Sequence, residues 1–341
     1  MNEVLFPTVG ALLIVIVVLP VCAALGRALL ALCDGWSGGR VGRFMGLGYL
    51  LLLLPSLVPI AWTLSAGLHQ AETGRAVLAC LLRHDLEEAC VEPLLFVALL
   101  AALIALRVRP WLVAYRRASR LTPSSDRGAV VRVARLVETH AALRELRNRW
   151  VVSEGSVNGT ATVGLFRPLV AVDAAFVARC DDEMLLGALC HELEHLRGRD
   201  PLRYALLSLA MRLNPFGERL LRRDAAAWIF RREMECDRMA VLAGAEAFGV
   251  ARALLCASTP TTPAIAHIRG GTSSRLRLRV ELLLAYAEVP PGERDRVASF
   301  ASLLPLAAIL LFALALPHGG KTGPLDVLHT SVELAARALF H

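Results

Sequence analysis

The sequence predicts an α+β protein in which four membrane-spanning helices carry a folded domain between the third and the fourth span. Three observations lead to this fold class. The chain is too apolar for an ordinary soluble protein, with a mean hydropathy of +0.54 and 56% hydrophobic residues. Its apolar residues occur in blocks long enough to cross a bilayer. The segment between the last two blocks alternates short apolar runs with charged helical patterns.

The apolar blocks predict four transmembrane helices. They cover residues 4–26, 44–68, 93–113 and 297–317. The first block does not read as a cleaved signal peptide, because no basic region precedes it and it is too long. Pro55 and Pro59 are expected to kink the second helix, which neighbouring groups can tolerate in lipid.

The arginines predict how these helices are oriented. By the parity of spans, the turn with Arg40 and Arg43 lies on the same side as the arginine-rich segment 107–120, and the acidic loop 69–92 lies on the other. Positive loops mark the cytoplasmic side. We therefore expect a multi-pass protein of the bacterial inner membrane, with a cytoplasmic domain and with both termini outside, including a short tail, 318–341. Cys80 and Cys90 would lie outside, as a disulfide or as two thiols.

The net charge of +7 fits this arginine bias better than it fits a nucleic-acid partner. The basic residues flank apolar blocks and are not interleaved with aromatic residues on one surface. We expect the lipid bilayer as a partner and no direct nucleic-acid binding.

Residues 121–296 are predicted to form a mixed domain of helices and short strands. Helices are expected over 125–147, 181–198, 201–213, 218–243 and 274–286, and strands over 150–153, 161–166 and 169–172. Asp181, Asp182 and Glu183 supply an acidic start for the second of these helices, which suits the helix dipole. Residues 259–273 are rich in Thr, Pro and Gly, which is typical of a loop.

The central motif of this domain is His191-Glu192-Leu193-Glu194-His195, inside a helical pattern. Histidines four residues apart project from one face of a helix, so both imidazoles can bind one metal ion. Glu192 is adjacent to them and is placed to deprotonate a metal-bound water. The motif predicts a catalytic zinc site with one ion per chain.

A catalytic zinc ion requires a third protein ligand. The predicted ligand is Glu233, with Glu235 as the alternative. Asp237 lies one turn after Glu233 on the same helix face and is expected to accept an imidazole N–H. Asp200, five residues after His195, is a further candidate for such a contact.

These residues predict the chemistry of a zinc endopeptidase. Glu192 would act as the general base and then protonate the leaving amine. Arg231, Arg232 or His267 could stabilise the oxyanion, and the sequence does not choose among them. The strand 162–166 precedes the metal-binding helix and could pair with an extended substrate peptide. A buried structural strand is the alternative.

Together these motifs resemble the BlaR/MecR-type family of integral-membrane metallopeptidases. The resemblance rests on His191-Glu192-Leu193-Glu194-His195, Arg199-Asp200, Asn214-Pro215 and Glu233-x-x-Cys236-Asp237, and it extends to about Pro317. It implies a zincin-like (gluzincin) domain, with His191, His195 and Glu233 on zinc and Glu192 catalytic. The best-known members sense β-lactams outside and trigger proteolysis of a repressor inside.

The chain departs from those members after the predicted fourth span, where no room remains for a penicillin-binding sensor domain. We therefore expect regulated proteolysis of a protein substrate, such as a transcriptional repressor or the chain itself. Two alternatives stay open. One is a processing or quality-control peptidase of the HtpX or CAAX type, against which the span order and Cys236 argue. The other is a non-catalytic zinc-binding signalling scaffold, which would not require Glu192.

Overall fold

The computed structural model describes residues 14–37, 45–70, 91–118, 120–214, 216–258 and 273–287. A π-helical turn, Ile14–Val18, leads into the first helix. The helices are α1 (Leu19–Ser37), α2 (Met45–Gln70), α3 (Val91–Ala118), α4 (Arg127–Thr139), α5 (Ala174–Arg179), α6 (Asp182–Gly198), α7 (Asp200–Leu213), α8 (Gly217–Leu242), α9 (Ala247–Ser258) and α10 (Ser273–Ala287), and a 3-10 helix spans Ala141–Leu146.

The described strands form one small sheet in the order β1-β3-β2. They are β1 (Trp150–Ser153), β2 (Thr160–Val163) and β3 (Leu169–Asp173). β1 is parallel to β3, and β2 is antiparallel to it with Ala161 opposite Ala171. β2 is shorter than the predicted strand 161–166, because the chain turns at Gly164 with φ +96°. A Cβ there would lie 2.9 Å from the Arg167 carbonyl oxygen, so this turn requires glycine.

The sequence predicts most of the other helices and strands of the domain. The helix beginning with the acidic cluster is confirmed, since Asp181 caps α6 by accepting a hydrogen bond from the Met184 N–H at 2.9 Å. The predicted helix 125–147 is divided into α4 and the 3-10 helix, because His140 has an extended backbone. Several predicted features lie outside the described residues: Cys80, Cys90, His267, the span 297–317 and the tail 318–341.

One hydrophobic core surrounds α6. Residues of α4, the sheet, α5 and α9 pack against it, among them Val133, Phe176 and Val250, which are at most 1% exposed. Leu185 and Leu189 of α6 lie at the centre of this core and are fully buried. Burial of α6 on nearly all sides fixes the helix that carries the histidine motif.

A second core joins α1 and α2 to α7 and α8. Tyr49 and Leu52 of α2 are 1% exposed and pack with Leu207 and Trp228. The Tyr49 hydroxyl donates to the Arg203 carbonyl at 3.1 Å, and the Trp228 indole N–H donates to the Met45 carbonyl at 2.9 Å. The two N-terminal helices are therefore tied to the helices that follow the histidine motif.

The prediction of a four-span membrane protein is wrong. Among the residues that the structure describes, no helix combines the length and the apolar character needed to cross a bilayer. α1 continues past residue 26 to Ser37 and includes Arg27, which lies 4.0 Å from Asp224 of α8. α3 likewise extends past Arg107 and Arg109. Part of the apolar surface of these helices, including Leu30 of α1 and Leu52 and Leu53 of α2, is buried in a core shared with α7 and α8, and sequence hydropathy does not distinguish a protein partner from lipid. The predicted placement in the inner membrane, with outside termini and a cytoplasmic domain, is wrong for the same reason.

Candidate metal centre

The histidine motif occupies the buried middle of α6. His191, Glu192 and His195 are 7%, 3% and 2% exposed. The two imidazoles lie on one helix face, with ring centroids 4.8 Å apart and Nε2 atoms 3.1 Å apart. One turn of helix therefore presents two nitrogen donors to the same point, as the spacing of the motif requires.

Glu233 of α8 is the third donor at this point. Its Oε2 lies 3.5 Å from Nε2 of His191, and its Oε1 lies 3.5 Å from Nε2 of His195. The ligand atoms of the three residues lie within 4.8 Å of one another. Donors bound tetrahedrally to one zinc ion at 2.0–2.1 Å are about 3.3 Å apart. The three side chains thus fit a tetrahedral ion that keeps its fourth position open.

An aspartate lies at Nδ1 of each histidine. Nδ1 of His195 is 2.7 Å from Oδ2 of Asp200 and hydrogen-bonds to it. Nδ1 of His191 is 2.9 Å from Oδ1 of Asp237, an ion-pair distance at which the carboxylate is off the N–H direction and no hydrogen bond forms. With both Nδ1 atoms beside carboxylates, the Nε2 atoms remain to bind a cation.

The local backbone explains how Asp200 reaches His195. α6 ends at Arg199, which has the left-handed conformation φ +49°, ψ +41°, and α7 begins at the next residue. This turn folds Asp200 back over the last turn of α6. Gly198 leaves the space, since a Cβ there would lie 2.5 Å from an Arg232 nitrogen and 2.8 Å from Oδ1 of Asp200.

Buried arginines neutralise both aspartates. Arg232 donates through Nε to Asp200 at 2.7 Å, and Arg203 lies 3.4 Å from the same carboxylate. Arg279 of α10 donates to both oxygens of Asp237 at 2.7 and 2.8 Å. These pairs hold the aspartates in place and satisfy the buried charges.

Arg279 and Tyr204 contact Glu233 directly, and the sequence did not indicate either of them. Arg279 lies 3.2 Å from Oε2 of Glu233, and the Tyr204 hydroxyl donates to Oε1 at 3.3 Å. The one available signal for Arg279 was the basic start of the helix predicted over 274–286. Tyr204 had no signal, since it lies in an apolar helix and reaches the site only through the packing of α7 on α8.

Burial and neighbouring charged groups shift the pKa values of His191, His195 and Glu233. Burial alone would lower the pKa of each histidine, but the surrounding acidic groups, with the Asp237 and Glu233 carboxylates foremost for His191, raise the pKa of His191 and raise that of His195 well above its usual value. Burial would raise the pKa of Glu233, whereas the two histidines and Arg279 hold it well below its usual range. A cation would replace histidine protons here, so its binding should strengthen as pH rises.

The proposed base, Glu192, is held by strand β2. Thr160 donates through its hydroxyl to Oε1 of Glu192 at 3.1 Å. The Thr162 hydroxyl lies 2.8 Å from Oε2 and 2.9 Å from the backbone carbonyl of Glu192. Strand β2 and helix α6 are therefore joined at this carboxylate, which the sequence did not predict.

Two other predicted candidates, Glu235 and Arg232, make contacts of a different kind. Glu235 pairs with Arg238 of its own helix at 3.1 Å and is not among the converging donors. Arg232 is 2% exposed and is directed at Asp200 and the Glu194 carbonyl, so it is not available to stabilise an oxyanion.

A second group of potential ligands overlaps the first. It consists of His195, Asp200 and Cys236, whose ligand atoms also lie within 4.8 Å of one another. Arg232 occupies the Asp200 carboxylate, and burial raises the pKa of the Cys236 thiol. A cation there would meet a guanidinium and a neutral thiol, so His191, His195 and Glu233 are the better metal site.

Comparisons of this chain with family models, with curated proteins and with solved structures found no match. The resemblance to the BlaR/MecR-type family therefore rests on the motifs quoted above.

Proposed function

We propose that this chain is a zinc-dependent endopeptidase with His191, His195 and Glu233 as the metal ligands and Glu192 as the general base. The observation that carries the proposal is the convergence of three donor residues at 3.1 to 3.5 Å next to the Glu192 carboxylate, which Thr160 and Thr162 orient through hydrogen bonds. A structural zinc site would use a fourth protein ligand. The described donors supply three.

Bound zinc acts as a Lewis acid toward a carbonyl oxygen and lowers the pKa of a water ligand. A protein side chain must then accept the proton that the attacking water loses. Oε1 and Oε2 of Glu192 accept hydrogen bonds from Thr160 and Thr162, which orient the carboxylate from the strand side. Glu192 would take the proton from the attacking water and deliver it to the leaving amine.

Strand β2 supports a peptide as the substrate. It is one of the two edge strands of the described sheet, and its side chains at 160 and 162 contact the proposed base. An extended peptide paired with this edge would place its backbone carbonyls near Glu192. We propose a protein substrate of the kind that the BlaR/MecR resemblance implies, a transcriptional repressor or the chain itself.

Of the alternatives, the HtpX or CAAX type loses one counter-argument, because the order of spans no longer applies. The position of Cys236 before Asp237 still favours the BlaR/MecR type. The experiment below distinguishes an active peptidase from a non-catalytic zinc-binding scaffold.

The test compares the zinc-loaded wild type with Glu192→Gln, using fluorescent casein as an unstructured probe substrate and the mass of the chain itself to detect self-cleavage. We expect cleavage by the wild type and a loss of about 10²- to 10⁴-fold in the variant, the usual contribution of a general base. Both proteins should retain one zinc per chain. Glu183→Gln, an exposed glutamate in the first turn of the same helix, is the matched control and should cleave like the wild type. Equal behaviour of wild type and Glu192→Gln, with zinc bound, would establish the scaffold instead.

A further inference from the structure

Two cysteines lie next to each other outside the metal centre. Cys180 ends α5 immediately before the cap of α6, and Cys256 lies near the end of α9. Their Sγ atoms are 3.6 Å apart, although the residues are 76 positions apart in sequence, and both are in the thiol form. A disulfide has an S–S distance of about 2.05 Å, so the sulfur atoms need to approach by only about 1.5 Å.

The two thiols differ in their access to solvent. Cys180 is 4% exposed and belongs to the core around α6. Burial and the neighbouring Cys256 raise the pKa of Cys180 to about 12, so this thiol is protonated and a poor first target for an oxidant. Cys256 is only partly buried, so it is the more accessible residue of the two.

We propose that Cys180 and Cys256 are a disulfide-forming pair, oxidised by a peroxide. In the first step the Cys256 thiol attacks the peroxide O–O bond, which gives a sulfenic acid and releases one water. In the second step the Cys180 sulfur attacks the sulfenic sulfur, and the S–OH bond breaks as the S–S bond forms. The hydroxide that leaves takes up the Cys180 proton as a second water. Two thiols are oxidised by two electrons, and one hydrogen peroxide is reduced.

The position of the pair gives the bond a consequence for the metal centre. A bond between 180 and 256 would close a covalent ring that contains α6, α7 and α8, and with them His191, His195 and Glu233. Cross-links over long loops stabilise chiefly by restricting the unfolded chain. The disulfide would therefore stabilise the folded state, in which the proposed metal ligands lie together.

The end of α9, where Cys256 lies, also contacts the segment that leads into β2, the strand that holds Glu192. The Asn158 side chain donates to the Ala257 carbonyl at 3.0 Å, and a Cβ on Gly159 would lie 2.8 Å from the Ala257 Cβ. The end of α9 therefore packs against the turn that precedes Thr160. A disulfide at 256 would fix α9, the start of α6 and this turn to one another.

The test uses the full chain treated with hydrogen peroxide, alkylated with N-ethylmaleimide and digested without reduction. Trypsin leaves Cys180 and Cys190 together in peptide 180–197, so a second digestion at Glu183 is needed to separate them, while Cys256 lies in peptide 253–269. We expect a cross-linked pair that contains Cys180 and Cys256, two hydrogens lighter than the sum of its thiol peptides. The pair should disappear on reduction.

Thermal unfolding gives the second readout. Oxidation should raise the Tm by on the order of 5–10 °C, as estimated from typical disulfide stabilisation and the size of the domain. Cys190→Ser, which removes a thiol buried in α6, should keep both the cross-link and the shift, and Cys256→Ser should lose both. The proposal is overturned if peroxide leaves Cys180 as an alkylated thiol while Cys256 becomes a sulfinic acid, stays reduced or bonds to another cysteine. The wild-type digest alone decides this if a variant fails to fold.

Discussion

Asp200→Asn tests the buried charge network behind the metal site. The Asp200 side chain is 1% exposed and contacts His195, Arg232 and Arg203. Asparagine has nearly the same shape and keeps an oxygen acceptor. The substitution therefore removes a charge and little volume, and it takes away the carboxylate that lies 2.7 Å from Arg232 and 3.4 Å from Arg203.

The expected loss of stability follows from that burial. Removing one partner of a buried ion pair costs about 3–5 kcal/mol, and the remaining amide oxygen places this variant near the lower end. At about 2–4 °C per kcal/mol, the Tm should fall by roughly 6–12 °C. The control is Asp182→Asn, because Asp182 also pairs with two arginines, Arg132 at 2.7 Å and Arg135 at 2.6 Å, but its side chain is 45% exposed. Exposed pairs contribute about 0–1 kcal/mol.

The assays are thermal unfolding, which gives the Tm, and urea unfolding, which gives the free energy of unfolding. Both are followed by circular dichroism at neutral pH, with a chelator present so that metal binding does not contribute. The arginines and His195 hold the pKa of Asp200 below its usual value against the burial that would raise it. Its contribution is therefore present above pH 4 and is lost as pH falls through the folded-state pKa. The difference between wild type and variant should narrow in acid. A loss at neutral pH no larger than that of Asp182→Asn would refute the reasoning.

Three further outcomes follow from the geometry. Thr162→Val removes a hydroxyl at 2.8 Å from Glu192 and should lower kcat on casein about tenfold with zinc content unchanged; a normal kcat would show that β2 does not orient the base. Gly187→Ala should lower the free energy of unfolding by about 1–3 kcal/mol in urea, since its Cβ would lie 2.9 Å from the Val250 nitrogen; an increase would contradict this packing. Because the pKa of His195 is raised, the metal-free protein should lose stability as pH rises above about 6.5 toward the folded-state pKa, and zinc should remove that loss; a flat metal-free profile would count against it.

The residues that could be predicted from sequence are those whose relation is set inside one helix. His191 and His195 lie close together because four residues make about one helical turn. Helix caps and strand propensities also depend only on residues that are near one another in sequence. Glu233 was predicted from the rule that a catalytic site with two histidines needs a third ligand, with Glu235 as the alternative, and the structure brings Glu233 to the histidines.

The contacts that could not be predicted come from packing between distant elements. Arg279 reaches Asp237 across 42 residues, and Thr162 reaches Glu192 across 30. The hydrophobic periodicity around Arg279 or Thr162 does not indicate which distant residue each of them contacts. The spans failed for a related reason, since Leu52 and Leu53 are buried by other helices, and the same residues would suit a lipid environment.

The packing of α1 and α2 against α7 and α8 limits how far this chain can be shortened from its N-terminus and still fold. A shortened chain starting at residue 121 would keep all three metal ligands, yet it would lack the carbonyls of Leu19 and Met45. Asn214 and Trp228 donate to these carbonyls at 2.8 and 2.9 Å, and each buried donor left without a partner costs about 1–3 kcal/mol. The apolar face around Trp228 would also be uncovered and would promote aggregation. A shortened chain made to test the proposed activity should therefore retain the first two helices.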